Sequence, residues 1–201
     1  EQRAEALVAA ARQLATDHGV RAVTLTEIAA GAGVHISAVR RYIESREEIF
    51  LRLTAQGWQD WTSAVRAELA KSVSTAELAA ILARTLADRP LFCDLLAHAP
   101  LSLERQVSLE SVRAFKLTTL AAVAALNTAI ADATELTEDD ALDLVGAVNA
   151  LAASFWQISH PPETLAELYR QDPRLGHAVV DFVPRLTRLI HATVVGLTSN
   201  K

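Results

Sequence analysis

This 201-residue chain is short of residues that interrupt helices: it has 7 Gly and 6 Pro. The first proline is Pro90, so no missing backbone N–H compels a break in the residues before it. There is one cysteine, Cys93. A single thiol excludes an internal disulfide and fits a reducing cytoplasm. Cys93 has no recognisable activating neighbour and reads as an inert buried thiol. Aromatics make up 5% of the chain while hydrophobic residues reach 51%. The apolar mass is therefore mostly Ala, Leu and Val. Ala and Leu are strong helix formers, and the length suffices for a real core. The expectation is an all-α protein.

Further absences narrow the function. There is no phosphate-cradling Gly-rich loop, no nucleophile elbow and no Glu-x-x-His pair for a di-iron bundle. Asp94 and His98, and likewise His177 and Asp181, lie four residues apart, but neither pair has a visible third ligand. No metal, cofactor or enzyme activity is expected. The longest apolar runs, 117–131 and 141–158, hold Thr118, Thr119 and Asn127 in the first and Asp143 and Asn149 in the second. They read as buried bundle helices rather than membrane spans. No signal peptide is visible. The net charge is −5, which taken alone argues against nucleic acid. Its distribution argues otherwise: residues 1–52 carry seven Lys/Arg and seven Asp/Glu, and the whole excess of acid falls in 53–201.

What is present centres on residues 24–46, TLTEIAAGAGVHISAVRRYIESR. Leu25, Ile28, Ala29 and Ala32 share one helical face, Gly31 and Gly33 end that helix, and Val34, Val39 and Ile43 supply a second apolar face. Two short helices joined by a glycine turn, the second bearing Arg40, Arg41 and Tyr42, form a helix-turn-helix that places a helix in the DNA major groove. A first helix over 2–18, stopped by Gly19, completes a three-helix head. Thr24 with Glu27, Ser45 with Glu48 and Ser74 with Glu77 have capping-box spacing. They start helices near 25, 46–71 and 75–87. Pro90 begins a short helix ending near Pro100. Long helices follow at about 104–132 and 138–159, then a minor one at 163–170. A last helix spans 174–197, which Pro184 should kink. The architecture expected is a head at 1–46 and a larger bundle at 47–201, about nine helices in total, with the fourth helix belonging to both.

Residues 5–50 closely resemble the TetR family of transcriptional repressors. The resemblance rests on Gly19, Thr24, Ile28-Ala29, Ala32-Gly33-Val34, Val39 and Ser45-Arg46-Glu47. Departures are His35 where the family often has Ser, Ser37 where it has Gly or Pro, Arg40 where an aromatic is common, and Ile43 where Phe is. The resemblance implies a homodimer that reads a palindromic operator in double-stranded DNA and is released by a small, mostly apolar effector. Ile36, Ser37, Arg40 and Arg41 are placed at base edges, Arg being suited to guanine O6 and N7. Tyr42 and Arg46 are placed on phosphates, with Thr24 as a cap that adds a phosphate contact and His35 as a cap or rim residue. Pocket candidates are Trp61, Phe92, Phe115, Asn149 and Trp156. The last two long helices are expected to pair between subunits, through Phe155, Val179, Val183, Leu186, Ile190 and Val194. Two other classes fit the residues alone: a helix-turn-helix protein without an effector, and an unrelated all-α carrier or enzyme.

Overall fold

The structure, a computed structural model, describes residues 2–69, 71–178 and 180–199. Among these, the regular structure is helical throughout: α1 (Gln2–His18), α2 (Leu25–Gly31), α3 (Ile36–Val39), α4 (Arg46–Glu68), α5 (Thr75–Ala87), α6 (Pro90–Leu101), α7 (Leu109–Ala133), α8 (Glu138–Ser159), α9 (Glu163–Gln171) and α10 (Phe182–Ser199). Short 3-10 turns occupy Leu103–Arg105 and Pro173–Ala178.

The helix starts follow from the caps. Full capping boxes form at Thr24 with Glu27, Ser74 with Glu77 and Thr137 with Asp140. In each, a side-chain oxygen and a carboxylate satisfy orphan N–H donors reciprocally. At Ser45 the hydroxyl accepts the Glu48 N–H at 3.1 Å, but the Glu48 carboxylate accepts from Glu44 N–H instead. Pro90 stands in the first turn of α6, where its missing N–H costs nothing. The expected helix over 174–197 is corrected by the same rule. Residues 173–178 form a 3-10 turn and α10 begins at Phe182, so Pro184 falls in a first turn and needs no kink.

The chain divides into two compact units. One comprises residues 1–62 and 89–123, the other 63–88 and 124–201. In the first, Leu7, Ala11 and Ala15 of α1, Ile28 and Ala29 of α2, Val39 of α3, and Ile49, Phe50 and Leu53 of α4 form one buried core. Leu95, Ala99, Leu103 and Phe115 belong to that same core. In the second unit α10 packs against α5 and α8. Its buried residues Phe182, Leu186, Ile190 and Val194 recur every fourth position, the stripe expected of one helical face.

α7 and α8 are long and apolar enough to cross a membrane by length and composition, and only 22% and 28% of their most apolar stretches are buried in the subunit. The apolar residues of α8 divide between core and surface. Leu144, Val145, Val148 and Ala152 are buried, while Leu142 and Ile158 are exposed.

Candidate nucleic-acid interface

The head presents its polar residues on a short helix and the turn after it. Val39 and Ile43 anchor α3 and the turn after it in the core. His35 caps α3: its Nδ1 accepts the Ser37 N–H at 3.3 Å and lies 2.7 Å from the Ser37 hydroxyl. Gly33 supplies the left-handed bend before it, at φ +63°. Ile36 is 41% exposed and Tyr42 37%. Ser37, Arg40 and Arg41 are exposed as well. Neither Arg40 nor Arg41 has an ion-pair partner among the described residues.

Thr24 is exposed, but its hydroxyl accepts the Glu27 N–H at 3.3 Å and donates to Glu27 Oε2 at 2.7 Å. Hydrogen bonding from Thr24 holds the Glu27 carboxyl below its ordinary value, so a negative charge already stands at this helix start. Arg46 departs from the expected free phosphate ligand. Its Nε donates to the Val23 carbonyl, its Nη2 to the Val20 carbonyl, and its Nη1 to Glu47 at 3.0 Å. The guanidinium lies 4.6 Å from the centre of the Phe50 ring. All three nitrogens are engaged within the head, bracing the α1–α2 loop against α4.

Two carboxylates bind the head to other helices of its unit: Glu44, which the sequence does not mark, and Asp94, which it marks only through His98. Glu44 accepts the Ser108 N–H at 2.6 Å and the Ser111 hydroxyl at 2.9 Å, at the start of α7. Hydrogen bonding from Ser108 and then Ser111 holds its carboxyl below the ordinary value. Asp94 of α6 accepts the Val20 N–H at 2.8 Å, and its other oxygen lies 3.4 Å from His98. The helix start expected near 104 falls instead at Leu109, where the Ser108 hydroxyl accepts the Ser111 N–H at 3.2 Å; Glu44, 64 positions before Ser108, gives no local sign of its part. No group of three or more His, Cys, Asp or Glu able to hold a metal occurs among the described residues, and the His177 side chain lies outside them. Burial pushes the Cys93 thiol up to about 12.

The pocket candidates divide between the units. Trp61 and Phe92 come together with Trp58, ring centres 5.5–6.2 Å apart. Phe92 borders a cleft of about 200 Å³ with Leu53, Gly57 and Leu95. Phe115 borders another of about 390 Å³, whose rim includes Glu44, Arg52 and Ser108. In the second unit Trp156 stacks on His160 at 3.8 Å and meets Phe182 edge-on at 5.3 Å. Asn149 is half-buried, and its buried Oδ1 has no hydrogen-bond partner among the described residues.

The interface candidates also divide. Leu186, Ile190 and Val194 are buried within the subunit, so they are core and not available to a partner. Phe155 and Val183 are half-buried, and Val179 lies outside the described residues.

A helix-turn-helix head with exposed arginines, on a chain that continues as an all-helical bundle, defines a DNA-binding regulator of the helical class. The sequence pattern of bacterial regulatory proteins of the tetR family matches residues 7–53, and that of the tetracyclin repressor-like C-terminal domain matches residues 55–201. The chain belongs to the TetR family of transcriptional regulators, which are not enzymes. Among curated proteins no relative matches it. The fatty acid degradation regulator FadR from Bacillus halodurans is similar in structure over 96% of this chain and 97% of its own, with 14% identity and a TM-score of 0.58. A tetR-family regulatory protein from Rhodococcus RHA1 is similar over 98% and 97%, with 16% identity and a TM-score of 0.56. A TetR/AcrR-family regulator from Thermobifida fusca is similar over 95% and 97%, with 18% identity and a TM-score of 0.52. At these identities the likeness is one of fold.

Proposed function

We propose that this regulator is a cytoplasmic repressor whose dimer binds a palindromic operator and lets go when a small, mostly apolar effector enters the bundle. Residues 1–46 serve as the reading head and 47–201 as the effector and dimerisation part. The observation that carries the reading is the exposure of Arg40 and Arg41, without ion-pair partners, on a turn whose apolar side is locked into the head's core. Ile36, Ser37 and the two arginines meet base edges, one bidentate Arg–guanine pair being worth about 1–3 kcal/mol of discrimination. Tyr42 meets a phosphate, Thr24 and His35 border the contact, and Arg46 braces the loop behind it rather than binding DNA. Two heads on a two-fold axis span half-sites about 34–36 Å apart, or a multiple.

Dimerisation runs through α8 and α10. What supports this is apolar surface left over after the core is filled: Leu142 and Ile158 on α8 and Val195 on α10 are exposed, with Phe155 and Val183 half-covered. The unpartnered Asn149 oxygen suits a hydrogen bond from an effector or from the partner subunit. Trp61, Phe92, Phe115 and Trp156 are the apolar wall candidates. Effector and DNA then oppose each other through a coupling free energy of about 1–3 kcal/mol.

The test is selection of duplexes from a random pool. The unaltered chain should recover a palindrome. Arg40→Ala with Arg41→Ala should lose the sequence preference and keep weak, salt-sensitive binding. Unchanged operator choice in the double variant refutes the docking.

A further inference from the structure

We propose that Arg3 is a DNA-backbone ligand, completing a phosphate seat that it shares with Tyr42 and His35. This rests on the reading of the chain as a DNA-binding regulator and extends it to a residue that precedes the family match, which begins at residue 7. Arg3, Gly33, Val34, His35, Ala38 and Tyr42 line a single concavity of about 220 Å³. The segment that bears the recognition turn thus forms one side of it and the first turn of α1 the other. α1 is fixed there: Leu7, Ala11 and Ala15 are buried, and a Cβ at Gly31 of α2 would lie 3.3 Å from the Ala10 methyl.

The polar groups of the concavity are all suited to an anion. Arg3 is exposed and has no ion-pair partner among the described residues. Glu5, the acid of the same helical turn, stands about 200° around the helix from it. Tyr42 offers a hydroxyl. His35 Nδ1 is occupied by Ser37, leaving Nε2 as its remaining polar atom. None of the six lining residues is acidic. A guanidinium fork and a phenol hydroxyl can donate together to one phosphate, the fork bidentately. A duplex that takes Ile36 and Ser37 into its major groove runs its backbone past the flanks of that turn, and this concavity is one of those flanks.

The probes are a duplex selected by the unaltered chain and a scrambled duplex of equal length. Affinity is followed by fluorescence anisotropy from about 50 to 200 mM salt. With one phosphate per subunit, R3Q should flatten the salt dependence of the dimer by about 1.8 in slope. Over that fourfold range in salt the unaltered chain then loses about twelvefold more affinity than R3Q. The effect should appear on both duplexes, R3K should restore the steep slope, and the melting temperature should not move. An unchanged slope in R3Q, or a loss confined to the selected duplex, overturns the assignment. A chain that selects no duplex at all overturns the regulator reading and the Arg3 assignment with it, and is told apart by the behaviour of the unaltered protein.

Discussion

Gly57 lies inside α4, where glycine costs about 1 kcal/mol relative to alanine, so replacement by alanine should stabilise an unconstrained helix. Here the sign should reverse. A Cβ at this position would stand 2.2 Å from Phe92 Cδ2, more than 1 Å inside ordinary contact, which begins near 3.4 Å, and 2.8 Å from its Cγ, also well inside it. The atoms in the way are ring carbons, and turning the ring about the Cβ–Cγ bond leaves Cγ where it is. Phe92 is 4% exposed and is met by Trp58 and Trp61. Overpacking of this kind costs about 1–3 kcal/mol, and a clash on a nearly buried ring met by two indoles belongs in the upper half of that range. Subtracting the helical gain leaves G57A less stable by about 1–2 kcal/mol. For a chain of this size that is a fall in melting temperature of about 2–8 °C. Circular-dichroism melts and urea midpoints read it directly. F92A alone should cost about 3–5 kcal/mol. In that background G57A should turn stabilising by about 1 kcal/mol, because the obstacle is gone and the helical preference remains. Equal stability of G57A and the unaltered chain, or the same loss with and without Phe92, refutes the argument.

Three other perturbations separate packing from surface chemistry. E44Q should weaken the acid-side pH dependence of stability. The folded carboxyl lies below its ordinary 4.5, so its contribution is present above that value and is lost as the pH falls through the depressed one. Melts from pH 7 downward should therefore converge for E44Q and the unaltered chain, and a difference that grows on acidification would contradict the hydrogen-bonded latch. L186A, at a site with no exposure, should cost about 2–5 kcal/mol. L142E, on a side chain 52% exposed, should leave the fold intact and shift light-scattering mass from dimer to monomer. A dimeric L142E would move the interface away from this face of α8.

Local chemistry was legible in the sequence; sidedness was not. Thr24 and Ser74 announce helix starts because a cap and its N3 carboxylate are three residues apart, and such contacts depend on nothing distant; at Ser45 the same spacing closes only half a box. The helix-turn-helix was readable for the same reason. Leu186, Ile190 and Val194 mark an apolar stripe correctly, but a stripe does not say whether it meets its own core or another subunit. α8 sharpens the point, since it is apolar along its length and yet Leu144 and Val148 are buried while Leu142 and Ile158 are exposed. Arg46 shows the reverse limit. An arginine at a helix start looks like an anion ligand until the carbonyls of Val20 and Val23, more than twenty residues earlier, are found on its guanidinium. Glu44 carried no local signal, because its partners are Ser108 and Ser111; Asp94 showed its local partner His98 and hid the distant one, the Val20 N–H.

That distinction predicts how the head behaves when cut out. The motif ends near residue 46, but the core beneath it does not. Ile49, Phe50 and Leu53 of α4, Leu95 and Ala99 of α6, Leu103 and Phe115 are buried in the same cluster as Leu7, Ile28 and Val39. Glu44 and the Val20 N–H each find their hydrogen-bond partner beyond residue 88. A fragment of residues 1–46 thus keeps the reading side chains and loses about half of what holds them still. Chains this short are marginal even with a complete core. The fragment should show weak helical circular dichroism, no cooperative melt, and no preference among duplexes that the whole chain distinguishes. A polypeptide joining 1–62 to 89–123 through a flexible linker should recover a cooperative transition, since those segments together form one compact unit. Cooperative melting of residues 1–46 alone would show that α1, α2 and α3 are self-sufficient, and that the contacts from α6 and α7 add little to the head.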